Sequence, residues 1–330
     1  MRIAKIAFLL TAWFIFSASM DFASEQEPAP ASKPNLDPDK AQFITSDIDN
    51  FWRAYDLAAK EPDFEKRKAI YQREYYDRGS QGVKDFIVLR LGKIENFVVT
   101  IEKHPQYYAS IRQESLKVNF LKDQIRRSFK KLKALYPDAV FPDVYFMIGK
   151  LSTGGTTSKN GLLIGTEMYC RSKATPENEL NDWLKAVLKP IATLPAIVAH
   201  ELIHIQQDTP RADTLLAQSI NEGAADFLGE LIAGQIINPH LHSYGNPREK
   251  ELWEDFRKEM NGKVYSKWLY NGTAAKDRPA DLGYYMGYKI CESYYKNARN
   301  KRQSIKDILL IKDFEQFFKA SGYAEKFAGK

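Results

Sequence analysis

The chain has 330 residues, 44% of them hydrophobic, and carries a formal net charge of +6. That much apolar material supports a packed core and excludes a wholly disordered chain. The positive charge is scattered among acids rather than clustered with exposed aromatics. It therefore gives no case for nucleic acid as a partner, and the charge runs read as solvated helix faces.

Arg2 and Lys5 precede an apolar run from Ile6 to Phe16, and Ser17-Ala18-Ser19 supplies a small-residue cleavage zone. This is the pattern of a secretory signal peptide, placed here at 1–23. The run is short for a bilayer crossing. A periplasmic or secreted location is expected, with no stable membrane span after cleavage and an uncleaved anchor as the alternative. No cysteine lies near the cleavage zone, which argues against a lipid-modified N-terminus. Export would let Cys170 and Cys291 pair, but two buried thiols fit as well.

Residues 24–40, with Pro28, Pro30, Pro34 and Pro38, read as a linker. Residues 41–136 read as a helical N-terminal layer. Phe43, Ile44, Ile48, Phe51, Trp52 and Tyr55 form one apolar stripe at three- and four-residue spacing. A second helix opens at Pro62, a third covers Val83 to Leu91, and a long basic helix is expected over Ser115 to Tyr136. The aromatic stripes read as core. At Pro137 the composition changes. Val144 to Ile148 and Leu162 to Gly165 are short β-rich runs around a Gly/Ser/Thr loop, expected as a hairpin. Gly154-Gly155 lacks the following Lys-Ser/Thr pair of a phosphate-binding loop. Residues 137–330 form the chemistry-bearing region, and 41–330 can also be one domain. A helix capped at Thr175-Pro176-Glu177 is expected to run to Lys189. A further helix starts at Thr193 or Leu194 and ends near Asp208. A return helix, capped by Asp213, runs to about Ile237, and an aromatic helix spans Tyr284 to Ala298.

The chemistry lies in His200-Glu201-Leu202-Ile203-His204. Two histidines four apart on a helix point the same way and can share one metal ion, with Glu201 in reach of a metal-bound water. A catalytic zinc commonly takes three protein ligands and leaves one position open. The positions three and six after His204 are Gln207 and Pro210, which excludes the metzincin arrangement. The turn at Pro210 folds the next helix back, so that Glu222 lands opposite the two histidines. Asp226 shares its face and can accept the other N–H of a metal-bound imidazole.

This set resembles the gluzincin zinc-metallopeptidase site of the thermolysin type over Pro195 to Gly229. More loosely, the Gly283 to Tyr288 segment resembles uncharacterised secreted bacterial zinc-protease families. The resemblance implies a predominantly α, zincin-like α+β fold with a small β-hairpin or sheet. It implies Zn2+ held by His200, His204 and Glu222, with Glu201 as general base and Asp226 orienting His200. The expected function is an exported zinc peptidase acting on a peptide or protein substrate. Tyr284 and Tyr288 are the expected oxyanion donors, with Tyr285, His240 and His242 as other candidates. Two alternatives stand beside it. One is a deformylase-like amidase with Cys170 as third ligand. The other is a non-catalytic secreted helical binding protein with a structural or degenerate zinc site.

Overall fold

The computed structural model describes residues 34–328. The expected signal peptide and all of the linker before Pro34 lie outside the described residues. The chain from Pro34 on belongs to one compact unit.

The first apolar stripe folds as predicted, apart from its start. Phe43 and Ile44 form a short strand, β1 (Phe43–Ile44), and the helix runs over Ser46–Ala58. Its buried Phe51 is met edge-on by Tyr75 at 5.5 Å and by Phe97 at 6.1 Å. These rings make up much of the core of the N-terminal layer. Asp63, not Pro62, caps the second helix, its side chain accepting the N–H of Lys66. Ser80 caps the third, Gln81–Phe86, so Gly82 lies inside that helix rather than breaking it. Two helices unread in the sequence, Ile94–Lys103 and Pro105–Leu116, meet at His104-Pro105. The basic helix spans Val118–Leu135.

The remaining strands are β2 (Val144–Met147), β3 (Gly155–Ser158) and β4 (Gly161–Gly165), and the sheet order is β1-β2-β4-β3. Here the hairpin expectation needs correction. The two apolar runs, β2 and β4, are parallel neighbours, with Val144 opposite Leu162 and Met147 opposite Gly165. Both are fully buried, as central parallel strands are. The hairpin is instead β3–β4, with Gly155 opposite Ile164. β3 escaped the sequence reading because its Gly, Thr and Ser carry no apolar alternation. It can be polar because it lies at the sheet edge.

One helix packs against β3 and β4, and a second packs on that helix. The HELIH helix spans Leu194–Gln206 and the return helix Leu215–Ala233, the latter ending at left-handed Gly234. Thr214, not Asp213, caps the return helix by accepting the N–H of Ala217. A closing helix, Leu282–Asn297, lies across the return helix. The two approach closely because Gly223 of one faces Gly287 of the other: a methyl on Gly223 would sit 2.1 Å from the Gly287 carbonyl carbon. The expected Thr175–Lys189 helix shrinks to Asp182–Val187, capped by Asn181. A short helix, Pro239–Gly245, follows the return helix. The fold is thus mostly helical with a small four-stranded sheet. No helix of the described residues is long and apolar enough to cross a membrane.

Candidate metal centre

The HELIH helix is apolar on most sides. Ala196, Val198, Ala199, Leu202 and Ile203 are buried, so packing fixes the direction of its one polar face. Pro195 sits in the first turn, where its missing N–H costs nothing. On the polar face the His200 and His204 rings meet edge to face at 4.7 Å, and their Nε2 atoms are 3.0 Å apart.

The hydrogen-bond network fixes what those atoms are. His200 Nδ1 lies 2.8 Å from Asp226 Oδ1, so it carries the proton. Gln207 donates from Nε2 to the Asn221 carbonyl and turns its Oε1 to His204 Nδ1 at 2.7 Å, so that nitrogen is a donor too. That leaves the two Nε2 atoms facing the same point, where they can bind a cation or take a second proton. Two acceptors at 3.0 Å repel unless a positive species sits between them. Glu222 Oε2 completes the triangle, 3.6 Å from His200 Nε2 and 3.3 Å from His204 Nε2. With zinc–ligand bonds of about 2.0–2.2 Å in tetrahedral geometry, neighbouring donors lie roughly 3.3–3.6 Å apart. The two edges to Glu222, 3.6 and 3.3 Å, fall in that range, and the 3.0 Å between the imidazoles is about 0.3 Å short of it.

The surroundings hold the donors in place. Asp226 is buried, and its Oδ2 accepts from Asn238 Nδ2 at 2.8 Å. Asn238 Oδ1 in turn accepts from the Lys189 ammonium at 2.8 Å. Glu222 Oε1 accepts from the Tyr270 hydroxyl at 2.9 Å, leaving Oε2 free for the centre. Tyr270 is in the left-handed region, at φ 56°, a conformation a bulky side chain adopts only when its surroundings demand it. Burial disfavours the His200 imidazolium, but the hydrogen bonds it donates to the Asp226 and Glu222 carboxylates outweigh it and raise His200 to about 10. His204 is also raised, since Glu222 outweighs the effect of burial. Burial would raise Glu222, yet the two histidines hold it well below the carboxylate range. These shifts have one origin: the pocket attracts positive charge, which a proton or a cation can supply.

A cleft of about 1180 Å³ opens over the triad, with β3 along one wall and Tyr270 and Tyr284 on its lining. Glu201 lines it too. Its carboxyl lies so close to β3 that a methyl on Gly155 would meet Oε1 at 2.4 Å. Burial raises the Glu201 pKa, with His200 and then His204 opposing. Tyr284 stacks on the His200 ring at 6.2 Å. Tyr288 is elsewhere: its hydroxyl donates to Glu230 at 2.7 Å and its ring packs edge-on against His242 at 4.5 Å. The expectation that Tyr284 and Tyr288 act together therefore fails. Tyr285 donates to Asn246. His240 lines the cleft, whereas His242 packs between Tyr285 and Tyr288. Cys170 is buried with its Sγ against the Thr166 carbonyl, and Glu222 takes the position that a deformylase-like site would give it. Among the described residues Cys170 and Cys291 are both free thiols.

Tyr270, Asn238 and Lys189 were missed in the sequence. Tyr270 comes from 48 residues beyond Glu222, and Lys189 and Asn238 come from irregular segments flanking the two helices, where no spacing rule connects them to the site. Gln207 was noticed only as an obstacle to another ligand pattern.

A family model described as gliding motility protein GldB matches residues 44–325. The chain belongs to the gliding motility protein GldB family. No curated protein and no solved structure matches it. GldB membership overturns the gluzincin assignment, and with it the exported zinc peptidase and its hydrolase and metalloprotease labels. The resemblance rested on Pro195 to Gly229, one helix pair. Two imidazoles four residues apart, with an acid from a returning helix, report that a cation can be held. They do not report which family holds it. The GldB match rests on nearly the whole described chain.

Proposed function

We propose that this GldB-family chain is a non-catalytic, envelope-associated binding protein of a gliding apparatus, built around a zinc-class divalent cation. His200, His204 and Glu222 hold the ion, and Asp226 and Tyr270 orient the ligands. The observation that carries the reading is the triangle of two Nε2 atoms and Glu222 Oε2, with edges of 3.0, 3.6 and 3.3 Å. The family description supplies the motility context, and the leader-like start of the sequence supports export. The HELIH helix packed on a small mixed sheet, with the return helix packed on it, supports a zincin-like scaffold used here for binding. Gly154 to Thr157 line the cleft at the sheet edge, and an extended polypeptide segment is the partner that such an edge accepts.

The test combines metal content with surface spreading of a gliding host that carries only the variant copy. Purified protein should hold about one zinc per chain. Glu222→Ala should lose both the zinc and spreading, while Glu201→Gln should keep both. Zinc-free wild-type protein would refute the metal centre. A Glu201→Gln protein that keeps zinc but fails to support spreading would refute the non-catalytic reading.

A further inference from the structure

The basic helix Val118–Leu135 carries Lys122, Arg126, Arg127, Lys130, Lys131 and Lys133 against a single acid, Asp123. Its inner face is spent on the core through Ile125, Phe129 and Leu132. On the outer face Phe120 is 85% exposed, the most exposed large apolar side chain among the described residues. Phe120, Gln124, Arg127 and Lys131 recur at intervals of four, three and four, so they share one ridge. Arg127 and Lys131 are exposed and make no hydrogen bond or ion pair among the described residues. Of the other cations, only Lys130 forms an ion pair, with Asp39 at 2.9 Å. Arg126 donates to the Pro38 carbonyl and lies over the Phe43 ring, while Lys122 reaches the neutral Thr45 hydroxyl.

We infer that this ridge is a docking face for an anionic lipid bilayer. One observation selects a bilayer over an acidic protein. An aromatic side chain that projects almost fully from a cationic ridge suits the boundary between headgroups and acyl chains, where its ring is buried and the charges stay among the headgroups. The inference stands apart from the metal centre, since no residue of the ridge lines the cleft.

The test is co-sedimentation of the full chain with vesicles of phosphatidylcholine alone or mixed with phosphatidylglycerol. Binding should require the anionic lipid and weaken as salt rises. Each basic side chain near an anionic surface contributes about fivefold in partitioning, so Arg127→Gln with Lys131→Gln should reduce it roughly 25-fold. Phe120→Ser should weaken binding while leaving the salt slope as in wild type, because an apolar contact is not screened. A second pair of exposed lysines outside the helix, Lys66→Gln with Lys173→Gln, is the charge-matched control and should have a small effect. Three results would overturn the inference: equal binding to neutral vesicles, no binding to either, or an equal loss in the control pair. Thermal melts matching wild type establish that the variants fold.

Discussion

The position of Glu222 depends on how closely two helices approach, and Gly287→Ala tests this. Gly287 lies on the closing helix where it crosses the return helix. A methyl there would sit 1.6 Å from the Ser219 carbonyl oxygen and 2.3 Å from its carbon. The obstacle is backbone, so no rotamer relieves it. To reach the roughly 3.0 Å that real Cβ atoms keep, the helices must separate by about 1.4 Å. Overpacking of this kind costs about 1–3 kcal/mol, and backbone contact puts the case at the upper end. Replacing a helical glycine by alanine returns about 1 kcal/mol through propensity. The net loss is then about 2 kcal/mol, or roughly 3 °C in Tm for a domain of about 295 residues. The effect on the metal is larger in proportion. Glu222 precedes Gly223, which faces Gly287 across the crossing, and ligand distances tolerate only about ±0.2 Å. Zinc affinity should fall by at least tenfold. Differential scanning fluorimetry and zinc titration calorimetry measure the two effects. Gly92→Ala is the control: its φ is +67° with nothing within 4 Å of the added methyl, so it strains the backbone and should leave zinc untouched. A Gly287→Ala protein with wild-type zinc affinity would refute the link between helix separation and the ligand position.

Two further outcomes follow from buried polar groups. Asn238→Ala removes the donor to Asp226 Oδ2 and leaves the Lys189 ammonium without its side-chain acceptor; zinc affinity should drop about 10- to 100-fold by calorimetry, the usual cost of losing such outer support. Glu167 is fully buried, and desolvation raises its carboxyl from 4.5 to about 7 against the N–H bonds from Gly149 and Leu151. The folded state then keeps a proton that the unfolded chain has lost, so urea melts should show stability falling as pH rises from about 4.5 to 7, by at most about 3 kcal/mol, and Glu167→Gln should flatten that slope.

The sequence revealed most where the structure is local. The stripe of Ile48, Phe51 and Trp52 folded as a helix because its inward face is set by a 3.6-residue period. The same period put His200 and His204 on one face. Glu222 and Asp226 were legible because a short turn joins the two helices that carry the set. Legibility ended where partners are distant. β2 and β4 look like the arms of a hairpin, but parallel pairing is a long-range choice made by burial on both faces. Helix Ile94–Lys103 was legible but overlooked: Ile94, Phe97, Val98 and Ile101 fall at i, i+3, i+4 and i+7, the spacing of one helix face.

Tyr284 and Tyr288 show how far a period can be trusted near a site. They are one turn apart, which suggests a shared target, yet i,i+4 spacing fixes only the helix face and not where each side chain ends. Tyr284 stacks on the His200 ring, whereas the Tyr288 hydroxyl donates to the Glu230 carboxylate. The hydroxyl that does touch a ligand comes from Tyr270, ahead of the closing helix and held in a backbone conformation that composition does not announce. The same distinction separates chemistry from family. Five residues suffice to say that a cation can be held, because coordination needs only a few atoms at the right spacing. Family membership rests on the whole of residues 44–325, of which the motif is five positions.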